Sequence, residues 1–130
     1  MTSDLAYRYT TAKPLAEAVA SIEKAAADNG FRVLHVHNVQ QTLQEKGFDI
    51  PGYSIVEVCN AKFAHQVLTK EKQVGMMLPC RIAVYEEQGA VTLLLMKPSI
   101  IGEMMPDAGL GTIPMEVENI LVKVVQEALR

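Results

Sequence analysis

The sequence is poor in cysteine: only Cys59 and Cys80 occur in 130 residues. Two are too few for the disulfide framework of a small secreted domain, so reduced thiols and a cytoplasmic setting are expected. Long apolar runs are also missing. The longest, Ala90 to Met96, falls far short of the ~20 residues that cross a bilayer. The opening Met-Thr-Ser-Asp-Leu lacks the basic region and apolar run of a signal peptide. Nor is there a basic stripe. Net charge is −3, pI is about 5.6, and Glu71 separates Lys70 from Lys72 in the densest basic stretch. Nucleic acid and polybasic membrane contact are therefore not expected as partners.

What is present suits one folded domain spanning 1–130. Hydrophobic residues make up 49% and charged residues 21%, an ordinary globular balance at a length that can bury a real core. A mean hydropathy of +0.13 leaves apolar surface for a second copy to cover, which points toward a homodimer.

Alternation predicts a short strand over 5–10. Apolar residues at helical spacing, from Leu15 to Ala26, predict a helix from about Pro14 to Asn29, closed by Gly30. Further strands are expected at Phe31–Val39 and Tyr53–Cys59, with a short helix over 39–46 between them. Asn60 is a suitable N-cap for a helix over 61–72. Leu78–Glu86 and Ala90–Lys97 read as a hairpin about Glu87-Gln88-Gly89. Residues 98–112 read as irregular, with a short helix around Ile100 to Met105. A last helix spans about Pro114 to Leu129, its buried stripe running from Ile113 through Val117 and Leu121 to Ala128. The economical solution is an α+β domain: a largely antiparallel sheet of about five strands with both long helices on one face.

The stretch Cys59-Asn60-Ala61-Lys62-Phe63-Ala64, then Leu68, Gly75 and Leu78-Pro79-Cys80, resembles the domain of unknown function 302 family. Gly30-Phe31 and Lys46-Gly47 match as well. Ala61 departs from the proline usual in the family, and His35 and His37 depart from its pattern. The resemblance implies a TATA-binding-protein-like fold (β-α-β4-α) and frequent dimerisation. It implies no nucleic-acid binding and no established reaction, because fold does not carry function.

Four constellations could carry chemistry. Antiparallel pairing of Tyr53–Cys59 with Leu78–Glu86 would bring Cys59 near Cys80, as a thiol pair for sulfur transfer, redox sensing or soft-metal binding. Strand phase opposes a simple pair. With Val56 and Val58 toward the helices, Cys59 faces the open side, while Leu78, Cys80, Ile82 and Val84 share the core phase. His35 and His37, two apart on a strand, share one face with Leu34 and Val36 on the other. Glu57 and Cys59 on the neighbouring strand would join the histidines as ligands for zinc or another metal. The methionines around Cys80 and the 98–112 segment could hold Cu(I) with its thiol, or fill core gaps and form a flexible apolar pocket or dimer contact under that segment. Glycines before the last helix suggest an anion site, but Glu116 and Glu118 in its first turn already satisfy the helix dipole.

No catalytic set stands out, so an enzyme is not expected and no cofactor is required. The expected function is a small-molecule or partner binding module centred on Cys59, Asn60, Pro79 and Cys80. Asn60 acts there as a helix cap and Pro79 fixes the backbone at a strand entry. The alternatives are thiol or metal chemistry centred on Cys59, with His35, His37 and Glu57, and a purely structural dimer module.

Overall fold

Residues 5–130 are described by a computed structural model. The elements run β1 (Ala6–Thr11), α1 (Leu15–Asp28), β2 (Arg32–Asn38), α2 (Val39–Gln44), β3 (Tyr53–Cys59), α3 (Ala61–Lys70), β4 (Cys80–Glu87), β5 (Ala90–Met96), α4 (Ser99–Met104) and α5 (Ile113–Ala128). Short 3₁₀ segments occupy Lys72–Met77 and Pro106–Ala108. The five strands form one antiparallel sheet in the order β1-β5-β4-β3-β2.

Alternation sets the layers. Val56 and Val58 on β3, Ile82 and Val84 on β4, and Leu93 and Leu95 on β5 are buried on one face. There they meet Ile22 of α1 and Leu121, Val124 and Val125 of α5. Burying each such side chain contributes about 1.5–3 kcal/mol, before the entropy of ordering it is subtracted. The fold class expected from the sequence is the one observed. The β4–β5 hairpin closes through Gln88 and Gly89, both at positive φ, as a tight two-residue turn requires.

The structure corrects three details. Leu34, expected with Val36 on the face opposite the histidines, is 52% exposed. A β-bulge between Val33 and His35 inserts one residue, so Val33 and Val36, three apart, both pack on the core. The bulge turns Leu34 outward. Leu78 does not begin a strand; β4 starts at Cys80, after a cis Leu78–Pro79 peptide. Glu118, expected in the first turn of the last helix as a partner for its dipole, lies in the second turn and is 3% exposed. One Glu118 carboxylate oxygen accepts from the Tyr7 hydroxyl at 2.6 Å, the other from the Ser99 amide at 2.9 Å.

At Gly52 the chain passes so close to β4 that a Cβ would lie 2.8 Å from both Glu86 Oε1 and Leu15 Cδ2. The Gly52 amide also donates to that Glu86 oxygen at 2.8 Å. Gly52→Ala is therefore expected to push aside the Glu86 carboxylate and the Leu15 side-chain tip and to lose the Gly52–Glu86 hydrogen bond, at a cost of about 0.5–1.5 kcal/mol, read from urea unfolding midpoints.

Candidate functional site

Where β3 ends, Asn60 turns the chain into α3. Its side-chain oxygen accepts from the Phe63 amide at 3.0 Å, and its Nδ2 donates to the Gly30 carbonyl at 2.8 Å. One side chain thus caps α3 and ties it to the end of α1. Asn60→Ala removes both bonds and is expected to cost about 1–2 kcal/mol, measurable in chemical denaturation.

From this anchor α3 lays Phe63, Ala64 and Val67 toward the body of the protein, and the 3₁₀ segment tucks Val74 fully inside. Opposite them stand Pro98 and Ile101 at the start of α4, and Ile113, Pro114 and Val117 on α5. Between these walls lies a cleft floored by Val58 and Cys80, with Phe31, Cys59, Asn60 and Leu78 at its edges. Its enclosed space is about 40 Å³, inside a depression of about 460 Å³ that opens to solvent. The enclosed part holds a few heavy atoms, and the rest of the depression is open to solvent. Val67, Val74, Ile101 and Leu110 form a second small core beside it. Leu68 and Met76 stand exposed on the α3 side.

The pairing on which the sequence-derived site depends is present. Val58 stands opposite Cys80 and Glu57 opposite Arg81, in a ladder without shifts. Cys80 consequently packs toward the core, and Cys59, one residue past Val58, belongs to the other face. Because the sheet ends here, both still border the cleft. Burial pushes the Cys80 thiol up to about 11, with the neighbouring Cys59 adding to the rise and Arg81 opposing it. Burial also raises Cys59. Both are free thiols, and at neutral pH both are protonated and weakly nucleophilic. Pro79 does not line this cleft; it borders a smaller hollow with Met77 and Met96.

His35 stands opposite Glu57 in the β2–β3 ladder, and His37 Nε2 lies 3.2 Å from Glu57 Oε2. Arg81 Nε approaches the same oxygen at 3.7 Å. Cys59 faces Arg32 instead. Among the described residues no three His, Cys, Asp or Glu side chains stand as a ready metal site.

Sequence reasoning missed most of the α4 and α5 wall, and Val74. The second wall is held by Glu118, whose bond to the Ser99 amide fixes the start of α4 against α5. Burial alone would raise the Glu118 carboxyl, but its bonds to Ser99 and Tyr7 and the nearby Lys97 ammonium hold it below the ordinary range. Lys97 also lies 5.3 Å from the centre of the Tyr7 ring. A larger groove of about 780 Å³ runs beside the β4–β5 turn, but its charges are engaged. Glu86 holds the Gly52 amide, Glu87 pairs with Arg8, and Lys13 donates to Ser21 and the Ala128 carbonyl. No described helix is long and apolar enough to cross a membrane.

Comparison with known proteins adds one family and one fold. Residues 7–128 match the family profile described as domain of unknown function DUF302. Among solved structures, an uncharacterized conserved DUF302 protein from Bacillus stearothermophilus is 32% identical over 97% of this chain and 98% of its own, with a TM-score of 0.90. No curated protein matches.

Proposed function

The chain belongs to the DUF302 family, and from that premise we propose that it is a binding module whose cleft over Cys80 takes a small, predominantly apolar molecule. The observation that carries this reading is the lining. Apart from Asn60, the residues around the cleft present aliphatic, aromatic, proline or thiol surface, and Asn60 is already committed to Phe63 and Gly30. Such a surface rewards removal of apolar area from water and offers no free charge to hold a polar ligand. A short alkyl or small ring fills the enclosed part, and the remainder of the ligand lies in the open depression beside α3. Two raised thiols favour this role over thiol chemistry, because catalysis needs a thiolate.

Binding to the folded state alone raises the unfolding temperature by mass action. Titration with 1-octanol is expected to raise it in the native chain. Ala64→Leu, which fills the cleft from α3, is expected to leave the unligated protein folded and to remove most of that rise. No stabilisation by 1-octanol, or an equal rise in Ala64→Leu, would refute the assignment. Far-ultraviolet circular dichroism confirms that the variant is folded.

A further inference from the structure

The open face of the sheet carries a second cluster, which the apolar cleft does not use. We propose that His35, His37 and Glu57 form a site for one borderline divalent cation, with Cys59 outside the ligand set. The β2 bulge between Val33 and His35 is what creates the arrangement. It lets Val33 and Val36 both pack on the core while His35 and His37, two apart, share the exposed face.

The rings stand 4.2 Å apart, centroid to centroid, at 83°. Glu57 is the ladder partner of His35, and its Oε2 lies 3.2 Å from His37 Nε2. In a tetrahedral sphere with bonds of about 2.0–2.2 Å, two ligand atoms lie roughly 3.3 Å apart. The His37–Glu57 spacing is therefore already that of two ligands sharing one ion. His35 shares that exposed face and must turn its ring to complete the set, since the three side chains do not converge on one point as they stand. The ion then takes the place of the direct His37–Glu57 contact and displaces Arg81, whose Nε lies 3.7 Å from the same Glu57 oxygen.

Two imidazoles and a carboxylate suit zinc, copper and nickel in the divalent state, and poorly suit magnesium or calcium, which prefer all-oxygen ligands. Cys59 lies two residues along β3 from Glu57, about 7 Å away along the strand. Its ladder partner is Arg32 rather than either histidine.

The test uses tag-free protein at neutral pH, titrated calorimetrically with Zn(II) and optically with Co(II). One equivalent of Zn(II) should bind. His35→Asn and His37→Asn should each weaken binding at least tenfold, and Glu57→Gln should weaken it severalfold. Cys59→Ala should leave it unchanged, and the Co(II) spectrum should lack a thiolate charge-transfer band. These side chains lie on the outer face of the sheet, and circular dichroism checks that each variant folds. No heat at millimolar zinc would overturn the proposal, as would binding that survives both histidine substitutions or a thiolate band that vanishes in Cys59→Ala.

Discussion

Cys80 is expected to react with a soluble aromatic disulfide at least about tenfold more slowly than an ordinary thiol at neutral pH, with the rate still rising as pH approaches 11. A thiol moved from 9.0 to about 11 has roughly 100-fold less thiolate at any pH well below both values. Its thiolate is intrinsically more nucleophilic, which returns a factor of roughly 8 at a Brønsted slope near 0.4–0.5. The net penalty is thus about tenfold from ionisation alone, and packing against the core adds to it. Stopped-flow kinetics on Cys59→Ala isolates Cys80. A rate that levels off near pH 7 would mean a low-pKa thiol and would return the site to thiol chemistry. An occupied cleft should slow the reaction further, so 1-octanol is expected to protect Cys80.

Glu118→Ala is expected to destabilise the fold by about 2–4 kcal/mol. The substitution strips the Ser99 amide and the Tyr7 hydroxyl of their acceptor in a site nearly closed to water, and it leaves a small cavity. Glu118→Gln keeps an acceptor for Ser99 and should cost less. The same bonds make stability depend on pH. The folded carboxyl titrates below its unfolded value, so its contribution is complete above about pH 4.5 and is lost as pH falls through the folded pKa. Urea unfolding of native chain and Glu118→Gln between about pH 3 and 7 should show the two curves converging in acid. Parallel curves would show that Glu118 has no preferential stabilisation as a carboxylate. Tyr7 is shifted the other way, raised first by its hydrogen bond to Glu118 and then by burial, and so keeps its proton and donates throughout this range.

The five strands, the two long helices and the hairpin follow from local periodicity and are therefore legible in the sequence. The features that were not legible depend on tertiary context. The β2 bulge leaves only a faint trace, the three-residue spacing of Val33 and Val36 within an otherwise alternating strand. Glu118 had a clearer signal: it occupies the apolar stripe of α5 among Pro114, Val117, Leu121 and Val125, and a carboxylate there must find partners inside. Val74 could not be placed because Lys72–Met77 carries glycine and polar residues with no helical or strand period, and it turns inward only by closing over α4. The Asn60 cap and the meeting of β3 with β4 were legible from residue type and phase. The opposite wall, built by Pro98, Ile101 and α5, was not, since nothing local links those segments to α3.

Methyl-resolved NMR under xenon pressure tests the cleft most directly, because xenon collects in apolar recesses without needing the right ligand. Shifts should concentrate on Val58, Val67, Val74, Ile101, Ile113 and Val117, and should vanish in Ala64→Leu. Undisturbed methyls at these positions, or larger shifts at Ile55 and Leu94 on the outer sheet face, would contradict the proposed binding site.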